Sequence, residues 1–427
     1  MCLGISVLGL AQAPPAVVPV APQAMPPAAA PQAAVSLEQA IQLALAHSPL
    51  LQAAATQVPQ SLAQETTASL RPNPVLAWDA LYQPIFNPSL FNRNYLNNAA
   101  EYDANLSYTI ERGHKRQARM AAAREVTALT RSQVDDARRG VEFNVAQQFV
   151  AALLAKSMRA FAQQDLASWQ NTVAVSQSQY AAGAVSEGDL DTVKLQTLQF
   201  QTAEASDQLG LEQALSTLRQ QMGFSAVPAN YAVAGDLAYQ PVSADLAALQ
   251  ALAVKERPDL MAARQGVIAA EGQLKLAQAN GKRDLTVTGG YTHAAGISSA
   301  AALFSIEVPI FDRNQGEIAR TAAAVTQAQD LAQAANQQVL TDVATAFEAV
   351  QQGSRVVQLY TSGYRDEARQ ALTIRQYSYS RGASSLLALL DAERTYRATE
   401  TGYRQALAAY MLAVEQLKEA VGTRTLP

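Results

Sequence analysis

The chain has 427 residues, with 32 Lys and Arg against 36 Asp and Glu. The resulting net charge of −4 argues against a nucleic-acid binder that works through bulk positive charge. Charged residues make up 16 %, below the roughly 25 % of an ordinary soluble domain, and the 49 % apolar fraction is rich in alanine. That mixture suits long helices packed closely on small residues. One cysteine, Cys2, excludes an internal disulfide framework and a multi-cysteine zinc site, and His47, His114 and His293 lie far apart in sequence.

Residues 1–13 carry an apolar run, Leu3 to Leu10, and then Ala11-Gln12-Ala13, a small-x-small cleavage pattern. They read as a secretory signal without its positively charged leader, as if the true start lay upstream. Cys2 has no lipobox before it, so no lipid anchor is expected. Seven of the 18 prolines fall between Pro14 and Pro31, making residues 14–35 a Pro/Ala linker.

Short helices are expected next, and then two strands at 72–83 and 101–111. Leu76, Trp78, Ala80 and Tyr82 alternate with Ala77 and Asp79. Tyr102, Ala104, Leu106, Tyr108 and Ile110 alternate with Asp103, Asn105, Ser107 and Thr109. An Asn/Pro-rich loop joins the two. From about Lys115 to Tyr180 only Gly140 interrupts a helical composition, and 65 residues at 1.5 Å each make roughly 100 Å. A returning helix carries Leu211, Leu215, Leu218 and Met222 at coiled-coil spacing and ends near residue 223.

After an inter-repeat segment at 224–244, the pattern starts again and fills 245–422, with a tail at 423–427. Strands are expected at 284–294 and 302–311, the latter from the alternation of Phe304, Ile306, Val308 and Ile310 with Ser305 and Glu307. The next long helix shows Ala332, Ala335, Val339, Val343, Ala346 and Val350 at spacings of three and four. Its return shows Tyr403, Leu407, Tyr410, Val414, Leu417 and Val421. Tyr180-Ala-Ala-Gly183-Ala184-Val185-Ser186 matches Tyr379-Ser-Arg-Gly382-Ala383-Ser384-Ser385 at a shift of 199, and the same shift relates Leu190 to Leu389 and Gly223 to Gly422. Val145 and Phe149 match Val343 and Phe347 at 198, whereas His47-Ser-Pro49 resembles Glu256-Arg-Pro258 at 209. The extra residues are expected between helices. The chain is a duplicated unit of about 200 residues.

Strands of nine to eleven residues have the length of a tilted membrane strand, and four cannot close a barrel alone, since about eight is the smallest number used. Two soluble hairpins with polar outer faces are the other reading of the same pattern.

With these features the chain resembles the TolC-like outer-membrane efflux proteins, from Ser36 to Gly422. Tyr108-Thr-Ile110-Glu-Arg-Gly113-His-Lys115-Arg116 resembles the strand-to-helix exit of their first repeat. Val308-Pro309-Ile310-Phe311-Asp312-Arg313-Asn314-Gln315-Gly316 resembles that of the second, in the form seen in the heavy-metal branch serving resistance-nodulation-division pumps. The resemblance implies an α+β membrane protein in which each chain of a homotrimer gives four β-strands to a twelve-stranded outer-membrane barrel, continued by a long α-helical coiled-coil tunnel in the periplasm. It implies an inner-membrane resistance-nodulation-division pump and a periplasmic adaptor, or membrane fusion protein, as partners, alongside outer-membrane lipid. No nucleic acid, cofactor or metal is implied.

The resemblance places adaptor contacts at two tips, Gly183, Ala184, Val185, Ser186 and Gly382, Ala383, Ser384, Ser385. It places a periplasmic gate at Tyr379, Asp391 and Asp189, where three copies of Asp391 would form an anionic ring. The family arginine two residues after the second tip glycine is replaced by Ser384, with Arg381 nearby. Glu187, Asp189 and Asp191 read as the solvated start of a helix, because carboxylates at successive odd positions do not share a face. No nucleotide-binding loop, nucleophile elbow or paired metal ligands are present in the sequence, so no enzymatic activity is expected. A type I secretion channel and a secreted coiled-coil scaffold remain as alternatives. The scaffold would leave the apolar strand faces uncovered.

Overall fold

The computed structural model describes residues 34–426. The signal segment expected at 1–13, the linker up to residue 33 and Pro427 lie outside the described residues. The first copy runs β1 (Ala34–Val35), α1 (Leu37–His47), α2 (Pro49–Ala55), α3 (Gln57–Ser69), β2 (Val75–Leu81), α4 (Arg93–Asn98), β3 (Glu101–Ile110), α5 (Lys115–Ala181) and α6 (Glu187–Met222). The second runs β4 (Ala232–Val233), α7 (Leu246–Glu256), α8 (Pro258–Asn280), β5 (Leu285–Ala294), β6 (Ile297–Ile306), α9 (Gln315–Leu359), a π turn at Tyr360–Tyr364, α10 (Arg365–Ser380) and α11 (Leu386–Val421).

Local chemistry sets the starts of these helices. Ser36 and Gln39 form a reciprocal capping box at α1. Pro49 and Pro258 occupy matching first positions of α2 and α8, where a missing N–H costs nothing. His114 and Asn314, the residues before α5 and α9, both adopt left-handed backbone. The two strand-to-helix exits thus share one conformation. Residues 34–35, expected as linker, instead pair in parallel with Ala232–Val233, tying the start of the first copy to the segment between the copies.

Four strands form one antiparallel sheet in the order β2-β3-β5-β6. Its register puts Leu76 beside Leu106, Leu106 beside Gly289, and Gly289 beside Ala302, and likewise Trp78, Ala104, Tyr291 and Ala300 in one row. Because side chains alternate with period two, an apolar face runs across all four strands. The opposite face carries Asp103, Thr292 and Ser299 in one row and Asn105, Gly290 and Ala301 in the next. Trp78 and Phe304 on the apolar face remain 69 % and 67 % exposed in the single chain, and β2 and β6 each leave one edge unpaired within it.

The fourth strand lies earlier than its sequence pattern suggested, at 297–306 rather than 302–311. Ala295 and Gly296 have φ of 49° and 77°, so a two-residue turn reverses the chain at once and starts pairing at Ile297. The alternation continues through Val308 and Ile310 beyond the ladder, where Pro309 has no N–H to donate and Ile310 bonds back to the Val308 carbonyl. The expected helical seams are buried at their centres and half-buried at Leu211, Leu215, Ala332, Ala335, Tyr403 and Val414. Val339, Val343, Ala346 and Val350 pack with Leu407, Tyr410, Leu417 and Val421 in one core, and Val145, Phe149, Leu218 and Met222 fill its counterpart in the first copy.

α5 is continuous for 67 residues, about 100 Å at 1.5 Å each. Its counterpart is not. The second copy breaks at the π turn, where Gly363 has φ 131°, outside helical space. The extra residue that changes the repeat shift from 198 to 199 therefore lies inside a helix, not between helices. A π turn accommodates such an insertion by widening one turn of helix. Gly402 on α11 faces this turn and has no side chain to collide with the Tyr360 hydroxyl. Among the described residues no helix is long and apolar enough to cross a membrane.

Candidate gate and docking tips

The two hairpins, α5–α6 and α9/α10–α11, end in the same turn. At the first, Ala184 N–H donates to the Gln179 carbonyl (2.8 Å) and Gly183 N–H to Tyr180 (2.9 Å); at the second, Ala383 donates to Ser378 (2.8 Å) and Gly382 to Tyr379 (2.9 Å). This paired pattern is a Schellman ending, and it needs the left-handed φ of 72° at Gly183 and 71° at Gly382. A side chain at either glycine would project into open space, so backbone conformation alone selects glycine. Ser186 and Ser385 then cap α6 and α11, accepting from Asp189 N–H (3.1 Å) and Ala388 N–H (3.3 Å). Ala184 is exposed, as are Ala383 and both serines, whereas Val185 and Ser384 are half-buried.

The three expected gate residues occupy three different environments in the chain. Tyr379 is buried, its hydroxyl 3.0 Å from Ser176 Oγ on α5, and its carbonyl accepts from Gln179 Nε2 at 2.8 Å. It is a tie between the two hairpins. Asp391 is exposed on α11 and pairs with Arg394 at 2.9 Å. Asp189 is exposed at the start of α6, and its carboxylate accepts from the Ser186 hydroxyl at 2.9 Å. Arg381, near the position where the family arginine is missing, lies with its guanidinium 5.5 Å from the Tyr377 ring centre.

Tyr379 belongs to a longer seam that the sequence reading missed. α5 presents Asp165, Ser168, Thr172, Ser176 and Gln179 at spacings of 3, 4, 4 and 3. Four of these meet the second hairpin through polar groups: Asp165 to Arg397 (2.7 Å), Ser168 to Gln376 (3.4 Å), Ser176 to Tyr379 and Gln179 to the Tyr379 carbonyl. A cleft of about 190 Å³ between Thr172, Val175, Gln376, Tyr379 and Leu389 lies along it. The neighbouring face of α5 carries Leu166, Trp169 and Val173, which pack with Val193 and Phe200 of α6. Leu386 and Leu390 at the start of α11 pack against the same cluster, so near the tips the hairpins meet through this apolar patch and, along α5 and α10, through the polar contacts of the seam. Such contacts exchange for water at small net cost. The heptad spacing was present in the sequence but hidden among many Gln, Ser and Thr residues.

Further from the tips, charge is buried in the second hairpin. Glu400, 1 % exposed, receives Arg365 Nε at 2.6 Å and Arg404 Nη1 at 2.5 Å, with Arg369 at 3.5 Å. Burial opposes its ionisation, but the guanidinium hydrogen bonds from Arg365 and Arg404 outweigh burial and hold the carboxyl below its usual range. Among the described residues no cluster of three His, Cys, Asp or Glu could hold a metal ion.

A four-stranded sheet with unpaired edges and an apolar face, joined to duplicated helical hairpins whose outgoing helices run about 100 Å, is the arrangement of a known group. The family model described as "Outer membrane efflux protein" matches residues 40–224 and again 249–423. The chain belongs to that outer membrane efflux protein family. It is 27 % identical over 418 residues to the pyoverdine export outer membrane protein OpmQ of Pseudomonas putida, covering 91 % of this chain and 86 % of that protein. Among solved structures it resembles CusC, described in terms of folding and transmembrane channel formation, with TM-score 0.73 and 20 % identity over 91 % of this chain and 92 % of that one. It also resembles the outer membrane channel CmeC of Campylobacter jejuni, with TM-score 0.75 and 16 % identity over 90 % and 85 %. The apolar sheet face is the membrane-facing part of this outer-membrane efflux protein, and the helices form its periplasmic part.

Proposed function

We propose that the chain is the outer-membrane channel of a tripartite efflux system, a passive conduit for substrates delivered by an inner-membrane resistance-nodulation-division pump through a periplasmic adaptor. Three chains of four strands each would close a twelve-stranded barrel, satisfying the open edges of β2 and β6, as a bilayer requires. The observation that carries this reading is the four-stranded sheet with two unpaired edges and one continuous apolar face. The long hairpins would extend the barrel across the periplasm. Their tips at Gly183–Ser186 and Gly382–Ser385 would receive the adaptor, since small side chains there admit a close helical partner. Asp391, exposed near the second tip, would face the bore as an anionic ring, with Asp189 and Tyr379 completing the constriction.

The first experiment is the detergent-corrected mass of the full-length protein extracted from membranes. A trimer soluble only in detergent is expected; a water-soluble monomer or dimer would overturn the channel reading in favour of a scaffold. The tip is tested separately with Gly382→Trp. The substitution meets open space but a positive φ, so a modest local cost of about 1–2 kcal/mol is expected. Trimer formation should persist while co-purification of the adaptor is lost. Undiminished adaptor recovery would remove Gly382 from the docking surface.

A further inference from the structure

Asp165 on α5 and Glu393 on α11 are both about 5 % exposed, and each belongs to a different hairpin. Glu393 stands one helical turn before Arg397 on α11, and Arg397 reaches Asp165 at 2.7 Å, so the two carboxyl groups meet around one cation, each with the other as its neighbour. Two carboxylates cannot hydrogen-bond without a proton between them, because both are acceptors only. One cation lies directly against the pair, Arg397, with Nε 2.7 Å from Asp165 Oδ2 and its guanidinium stacked 4.5 Å over Phe200 of α6. One arginine balances one carboxylate, so the second must carry a proton to stay buried.

We propose that Asp165 and Glu393 form a shared-proton lock between the two hairpins, and that release of this proton loosens the polar seam running down to Tyr379. The lock deepens the reading of the tip as a gate, and it rests on that reading only for its effect on conduction. Its position supports the role: Glu393 follows Gly382 by 11 residues, and Asp165 is followed along α5 by the rest of the polar seam, through Ser168, Ser176 and Gln179. Beside the pair, Leu386 and Leu390 of α11 pack against Trp169, Val193 and Phe200, so the proton acts together with an apolar contact in holding the hairpins.

The charged groups around the pair come from each helix packed there. α6 brings Asp207 and Glu204, α11 brings Arg397, Arg404 and Glu400, and α10 brings Arg369, which faces Tyr396. Arg404 is held by Glu400, which leaves Arg397 as the near cation. Burial, then the charge of Asp165 and its hydrogen bond, push the Glu393 carboxyl up to about 8, against the opposing pull of Arg397. Burial also raises Asp165, with the Glu393 hydrogen bond, Arg397 and Arg404 pulling the other way.

The sign follows from proton linkage. With its folded value raised above the ordinary 4.5, Glu393 holds a proton in the locked state that it releases when the seam opens. The stabilisation is complete below about 4.5 and is lost progressively up to about 8. Opening should therefore become about tenfold easier per pH unit within that window and level off above it.

Amide hydrogen exchange on the full-length protein in detergent tests this, with rates corrected for intrinsic chemistry. Between pH 6 and pH 8, amides of residues 161–172 and 389–400 should lose about a hundredfold of protection. Glu393→Gln, which keeps a neutral donor in place, should abolish that slope. A flat wild-type profile, or the same slope in Glu393→Gln, overturns the lock. Asp165→Asn gives an independent check, since removing the neighbouring charge should move the levelling-off to lower pH; an unmoved profile also overturns the pairing. Single-channel recording over the same pH range separates the two ideas. Exchange that follows pH while conductance does not would retain the lock and remove the gate from this part of the tunnel.

Discussion

In the first hairpin Trp169 and Phe200 stack with ring centres 5.1 Å apart, and the Trp169 indole N–H reaches the Val193 carbonyl at 3.1 Å. At the equivalent places, 199 residues on, the second hairpin has Ala368, Thr399 and Ala392. It has instead gained charge: Leu166 corresponds to Arg365, and Gln201 to Glu400. The hairpin with the aromatic core keeps an unbroken outgoing helix, whereas the one held by buried ion pairs begins α10 with a π turn. Apolar packing tolerates small shifts poorly because dispersion falls away over fractions of an ångström. Ion pairs reached by long arginine side chains can follow a change in helix position. On this contrast the first hairpin is expected to be the stiffer strut and the second the more adaptable of the two.

The largest effect should come from the strut. Trp169→Ala removes a buried aromatic and leaves a cavity, with an expected loss of about 3–5 kcal/mol. It should lower the thermal midpoint followed by circular dichroism, while Thr399→Ala, at the place matching Phe200, stays within about 0.5 kcal/mol. Equal losses would erase the distinction between the hairpins.

Next in size is Glu400→Gln, which leaves Arg365 and Arg404 without their buried counter-charge. A loss of about 3 kcal/mol is expected, at the low end for a broken buried pair because Arg365 is partly in water. Glu400 has a lowered folded value, so its contribution is present above about 4.5 and disappears as pH falls through the folded value. The wild type should therefore lose protection around α10 in acid, and Glu400→Gln should show less of that acid-dependent loss.

The smallest change sharpens the comparison at the tips. Tyr379→Phe removes one buried hydroxyl bond to Ser176, about 0.5–1.5 kcal/mol, and should raise channel open probability in planar bilayers. Its counterpart Tyr180→Phe concerns an exposed ring and should leave the recording unchanged. Equal effects from both would mean that the tyrosines act through the bore and not through the seam.

Much of the architecture could be read from the sequence because it repeats. The shift of 199 located both tip glycines, and period-two alternation located β2, β3 and β5 closely. β6 was displaced because Ala295 adopts positive φ without a sequence signal, while the apolar alternation continues past Ile306 into exposed chain. The β1–β4 pairing joins segments about 200 residues apart and only two residues long, too short for any pattern. The charge network was hidden for another reason. Asp165 and Glu393 are 228 positions apart, and neither is unusual on its own helix. What makes them a pair is the packing of two hairpins, which no local rule encodes.

The π turn at Tyr360–Tyr364 has a genetic meaning as well as a mechanical one. One residue added to a regular α-helix would turn everything beyond it by about 100° around the helix axis, and the widened turn takes up that rotation. One copy therefore carries a single residue that the other lacks, yet keeps its tip in step with its counterpart. Any partner approaching the tips meets two kinds of hairpin in alternation, and deletion of Gly363 removes the one difference between them that lies in the backbone.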